Sequence, residues 1–210
     1  MIARRALCAG MALAASGLAG HARAIEPQPE LVRAVAARLV NEPLLRGEFE
    51  QRKSIKGFRN PLISRGDFIV ARQRGVLWRT LEPFASSMLV TPDRMLLRQA
   101  DGRMVRQLHT SEEPALRAIG ETLFGLIAAD LSGLAQRFRI TGQADDAGWR
   151  LSLVPIDAGM ARWLQRVELE GDRFLRGVRL AEASGDQTSI RLTRHTTASS
   201  LTPQQEALFE

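Results

Sequence analysis

Residues able to carry covalent chemistry are scarce in this sequence. Its 210 residues include one cysteine, Cys8, no tyrosine and two lysines, Lys53 and Lys56. Cys8 falls in a leader-like N-terminal stretch, so the rest of the chain can form no disulfide and offers no thiol nucleophile or cysteine metal ligand. Beyond that stretch the histidines are His109 and His195, and two histidines without cysteine make a poor zinc site. No metal and no cofactor are expected. There is no G-x-S-x-G elbow to present a serine nucleophile and no phosphate-binding loop. Glu112-Glu113 and Asp145-Asp146 fall at a helix start and in a turn, where carboxylates serve structure. Aromatic residues are 5% of the chain and are not interleaved with basic ones, which argues against a nucleic-acid platform.

What is present begins with the leader. Arg4 and Arg5 precede an apolar run, Ala6 to Gly20, and Ala22-Arg23-Ala24 supplies small residues for a signal peptidase. The run is shorter than the ~20 residues that cross a bilayer. We expect residues 1–24 to be a cleaved signal and residues 25–210 to form a single domain in the periplasm. The leader's three arginines account for half of the +6 formal charge, so the remaining chain is only mildly basic.

Further along, Pro29 to Asn41 places Leu31, Val32, Val35 and Leu39 on one helical face, and Pro43 stops the helix. The period then becomes two: Phe68, Val70 and Arg72 share one face, and Phe84, Ser86, Met88 and Val90 form another row. Asp101-Gly102 marks a hairpin. Glu112 to Leu134 reads as helical, broken into short pieces by Gly120, Gly125 and Gly133. Five more strand segments follow between 137 and 195, with a helical turn at Asp157 to Trp163 and a helical tail from Pro203 to Phe209. About six strands, a helical insert and about five strands predict an α+β fold, a strongly curled antiparallel sheet with one wet face and helices over the other.

The stretch from Gly47 to Phe84 contains "GEFEQ", "SRGDF", Arg72, "GVLW" and "EPF". This resembles the periplasmic LolA-type outer-membrane lipoprotein carriers, whose pattern is G-x-F-x-Q, S-x-G-x-F and R-P-G-x-F-R-W. Gly47, Phe49, Gln51, Ser64, Gly66, Phe68 and Trp78 match; Arg72-Gln73-Arg74 and Val76-Leu77-Trp78 depart, which marks a divergent branch. The resemblance implies an incomplete, unclosed β-barrel of about eleven antiparallel strands under a helical lid, with Arg72 latching the lid. It also implies a monomeric carrier of acyl chains from lipoproteins or other lipids. An inner-membrane transporter would be the donor and an outer-membrane receptor the acceptor.

The residues expected to line its pocket are Phe49, Phe68, Trp78, Phe84, Met88, Leu116, Leu123, Phe124, Ile127, Phe138, Trp149 and Phe174. The same residue types also build ordinary cores. Methionines such as Met88 would adapt to varied chains. A buried Arg72 would need carbonyl partners, because an unpaired buried charge is costly. Two other functions fit such a scaffold: a lipid-modifying hydrolase, requiring a histidine beside a serine, and an adaptor with a filled interior. The carrier reading predicts no catalysis.

Overall fold

The computed structural model describes residues 28–72, 74–109 and 133–209. The expected leader, and the part of the helical insert up to residue 132, lie outside them. Helix α1 runs Gln28–Arg38 and ends three residues earlier than the sequence predicts. Its face is the expected one, with Leu31 and Val35 fully buried and Val32 and Leu39 nearly so. Eleven strands follow: β1 Leu44–Ser54, β2 Leu62–Ala71, β3 Gly75–Glu82, β4 Ser86–Val90, β5 Arg94–Gln99, β6 Met104–His109, β7 Phe138–Asp145, β8 Gly148–Pro155, β9 Leu164–Gly171, β10 Leu175–Glu182 and β11 Gln187–Ala198. Short helices α2 Leu134–Arg137, α3 Ala158–Ala161 and α4 Pro203–Glu206 punctuate the later half, and a 3-10 turn, Ala207–Phe209, follows α4.

The strands form one antiparallel sheet in the order β6-β5-β4-β3-β2-β1-β11-β10-β9-β8-β7. The first and last strands are therefore neighbours at its centre, with Leu44 opposite Ala198 and Ser54 opposite Gln187. β6 and β7 are its two edges, so the sheet is unclosed. α1 packs on the inner face, where Leu31 and Val35 join Phe138, Ile140, Leu153, Val167, Leu169 and Val178 from β7–β10 and Phe49, Phe68 and Val76 from β1–β3.

The outer face is not uniformly wet. Across β8–β10, and on β1–β3 around Glu50 and Asp67, it carries ion pairs such as Arg179–Glu168 at 3.5 Å, Arg150–Glu170 at 3.6 Å, Arg65–Glu50 at 3.0 Å and Arg79–Asp67 at 2.7 Å. Nearer Leu44, over β1–β5, it is instead apolar: Leu44, Ile69, Ala71, Leu77, Leu89 and Leu96 are buried beneath Phe209. This corrects the expectation of one wet face. Thr202 caps α4, accepting from Gln205 N while Gln205 returns a bond to Thr202 N, and so fixes the tail that carries Phe209.

The two ends of the sheet differ. At one, which we call the closed end, lie the α1–β1 link and the β2–β3, β4–β5, β7–β8 and β9–β10 turns. At the far end lie the β1–β2, β3–β4, β5–β6 and β10–β11 turns and the β8–β9 connection.

Candidate functional site

The motif around Gly47 and Gly66 has a physical cause. In the β1–β2 register Gly47 faces Phe68 and Phe49 faces Gly66, so each phenylalanine ring lies over the opposite strand's glycine. A Cβ on Gly47 would sit 2.6 Å from Phe68 Cζ; one on Gly66 would sit 2.9 Å from Phe49 Cε1 and 1.8 Å from the Arg79 carbonyl oxygen. Only glycine permits these approaches. Trp78 completes the wall, its ring 3.8 Å from Phe49 and 6.1 Å from Phe68, both stacked.

Burial along this wall is graded. Phe68, Trp78, Met88, Leu97 and Arg106 stand opposite one another on β2 to β6. Phe68 is buried, Trp78, Met88 and Leu97 are half-buried, and Arg106 is exposed. One row nearer the closed end, Val70, Val76, Val90 and Met95 are all buried. The half-buried row is the candidate site: an apolar strip on the inner face that the described residues cover only in part.

The remaining expected lining residues divide. Phe138 and Trp149 sit on β7 and β8 in the core beneath α1, away from the half-buried row. Phe174 lies in the β9–β10 turn, where its ring stacks on His195 at 4.7 Å and Arg173 and Arg176 lie 5.3 and 5.2 Å from its centroid. Phe84 is a correction. It occupies the β3–β4 turn and is 83% exposed, because β4 begins only at Ser86 and the row does not extend back to residue 84. Leu116, Leu123, Phe124 and Ile127 lie outside the described residues.

Arg72 follows β2 directly, half-buried. It donates Nε to the Glu42 carbonyl at 2.9 Å and Nη2 to the Val40 carbonyl at 2.7 Å, while its backbone N–H bonds Pro43 O at 3.1 Å. Carbonyl partners are what a buried guanidinium needs, and these ones belong to the α1–β1 link. The helical segment that the latch would hold lies outside the described residues.

His195, one of the two histidines beyond the leader, sits at an irregularity of the sheet. At the β1–β11 bulge Arg46 faces Thr196 and Glu48 faces Thr193, leaving one extra residue on β11, and Arg194 takes a left-handed φ of 50°. The bulge turns His195 inward against the edge of Phe68 at 5.9 Å. Arg176 Nη1 donates to His195 Nδ1 at 3.0 Å and Arg176 also grips Asp172 at 3.0 Å. Burial, and then the Arg176 charge, hold the His195 pKa below its ordinary value. Burial raises the Asp172 pKa, but the bonds from Arg176 and the Phe174 N–H outweigh it and keep the carboxylate ionised. The imidazole's Nδ1 is an acceptor for arginine.

A groove of about 570 Å³ lies on the other side of the sheet, lined by Glu50, Arg52, Arg150, Glu170, Arg179 and Arg191. Its walls are the outer ion-pair ladder, and it does not coincide with the apolar strip.

Set beside known proteins, residues 19–208 match the family model described as "Outer membrane lipoprotein carrier protein LolA-like". Among solved structures, a DUF1329 family protein from Desulfovibrio piger is similar at 11% identity, with a TM-score of 0.52 and coverage of 88% of this chain and 98% of that one. A LolA superfamily protein from Nitrosomonas europaea is similar at 11% identity, with a TM-score of 0.49 and coverage of 87% and 96%. At such identities the likeness is one of fold. No curated protein matches the chain.

Proposed function

The chain belongs to the LolA-like family of outer-membrane lipoprotein carrier proteins, and from that premise we propose that it binds acyl chains of lipoproteins or related lipids and carries them across the periplasm without chemical change. One observation supports this most directly. The half-buried strip of Trp78, Met88 and Leu97 runs along the inner face of a sheet left unclosed between β6 and β7. Acyl burial contributes roughly 0.8 kcal/mol per CH₂, so an apolar strip alone supplies affinity without polar recognition. Met88 beside Trp78 adds a side chain that repacks easily around different chains.

In this reading Arg72 is a latch. Its fork holds the α1–β1 link in place, and loading would exchange such contacts for lipid burial. A closed empty state lowers apparent affinity and so favours delivery to an outer-membrane acceptor after receipt from an inner-membrane donor. The protein works as a monomer.

Native mass spectrometry of the protein purified from its own cells, followed by organic extraction, tests the reading. Co-purified lipid or acylated peptide is expected, and Arg72→Leu should retain it longer when an acceptor membrane is added. A clean apo mass for both forms would favour an adaptor or a lipid-modifying hydrolase instead.

A further inference from the structure

The exposed apolar side chains are not scattered. Among the described residues nearly every large hydrophobic side chain that is strongly exposed lies at the far end of the sheet: Phe58 (74%), Leu62 (60%), Phe84 (83%), Met104 (48%), Ile156 (61%) and Trp163 (36%) are representative. Leu208, in the C-terminal tail, is the exception. Phe58, Phe84 and Met104 belong to three consecutive hairpins, β1–β2, β3–β4 and β5–β6. With strands ~4.8 Å apart, their tips are spaced by ~10 Å. These are projecting tips rather than a groove, so they suit a broad surface better than a peptide or a single ligand.

The charges at the same end are asymmetric. Its acidic groups are already engaged: Glu182 and Asp186 with Lys53 at 3.0 and 3.9 Å, Glu82 with Arg65 at 3.6 Å, and Asp101 with Arg103 at 4.0 Å. Asp157 caps α3, accepting from Met160 N at 2.8 Å. Lys56, Arg59, Arg106 and Arg162 are exposed, and their side chains form no ion pair among the described residues. Apolar tips interleaved with free cations are the composition of an interfacial anchor, in which the apolar groups enter the headgroup boundary and the cations meet anionic lipid.

We propose that the far end of the sheet docks on an anionic lipid bilayer, with Phe58, Phe84 and Met104 as the inserting tips and Lys56 and Arg59 as the charge contacts. This goes beyond carriage of acyl chains and does not depend on it. A carrier that only extracts lipid remains in the aqueous phase, whereas a docked protein moves with the vesicles.

Flotation makes the distinction. The purified protein is mixed with phosphatidylethanolamine vesicles containing phosphatidylglycerol as the minor component, or with phosphatidylcholine vesicles, and centrifuged through a density gradient. It should float with the anionic vesicles and be released by raised salt. Phe58→Ser/Phe84→Ser should lower the bound fraction at least about tenfold, and Lys56→Gln/Arg59→Gln about fivefold per charge. Leu208→Ser, in the tail, should change nothing. Failure to float, equal floating with phosphatidylcholine, or indifference to the Phe58/Phe84 change would each overturn the proposal. A complex with another protein that forms without vesicles and is lost in Phe58→Ser/Phe84→Ser would assign the rim to protein docking instead.

Discussion

Two tryptophans mark the two ends of the sheet. At the closed end Trp149 is 3% exposed, lies over Gly171, and donates its indole N–H to the Asp172 carbonyl at 2.7 Å. At the far end Trp163 keeps 36% of its surface, and its hydrogen bonds are backbone ones, its N–H donating to Met160 O at 3.1 Å and its carbonyl accepting from Ala183 N at 3.0 Å. The neighbours follow suit. Arg38 donates to the Asp145 carbonyl, Val40 N–H bonds Arg173 O at 2.9 Å, and Arg72 ties β2 to the α1–β1 link, so the closed-end turns are bound to one another. The far-end hairpins instead present Phe58 and Phe84 to solvent. One end is a place where apolar side chains complete a core; at the other they remain available. Stability and surface chemistry are thus separable along a single strand direction.

The sharpest way to break that contrast is to remove each tryptophan in turn. Trp149→Ala should cost ~3–5 kcal/mol in chemical denaturation, and Trp163→Ala, at 36% exposure, clearly less, ~1–2 kcal/mol; equal costs would erase the distinction. Next in size is Gly66→Ala at mid-sheet, where the added methyl meets the Arg79 carbonyl and the Phe49 ring. A loss of ~1–3 kcal/mol is expected, together with a changed tryptophan emission as the Phe49–Trp78 stack opens.

A smaller effect depends on pH. Because burial and Arg176 depress the His195 pKa below its ordinary value of 6.5, the unfolded chain binds that proton more readily than the folded one. Stability is therefore full above about 6.5 and declines as pH falls below it. Between pH 7 and pH 5, His195→Gln should show a flatter thermal-melting profile than the wild type, since glutamine still accepts from Arg176 but takes up no proton. The smallest change is Phe84→Ser, which should leave the denaturation midpoint within ~0.5 kcal/mol of wild type because the side chain covers nothing.

Much of the architecture was legible because a period of two survives in the strands. The rows Val76-Trp78-Thr80 and Val167-Leu169 fall on the inner face as the alternation predicts. The helical turn at 157–163 and the tail from Pro203 also form where expected. Two misreadings share a cause, in that both treated alternation as the whole signal. Phe84 shares the parity of the row Ser86-Met88-Val90, but β4 begins only at Ser86. The outer core over β1–β5 was hidden within continuous apolar runs such as Phe68-Ile69-Val70-Ala71, which are the mark of a strand covered on both faces. Those runs, read with the apolar Ala207-Leu208-Phe209 end of the tail, were the available clue. The reciprocal Gly47–Phe68 and Phe49–Gly66 pairs could not be read without the register, because nothing local states which strands face each other. The His195 cluster depends on a single-residue bulge, which the sequence does not announce.

The central pairing of β1 with β11 also bears on how the protein reaches this structure. A chain threaded out from its N-terminus can fold β1 to β6 as successive hairpins, but the free side of β1 has no partner until the last strand emerges. Until then an eleven-residue strand offers a bare row of N–H and C=O groups to any passing chain. Joining it requires closure of a loop that includes every other strand, which is the slow, non-local kind of contact. The nascent protein is thus most prone to aggregation just before completion, and a holdase that recognises exposed strand edges would help it most at that moment.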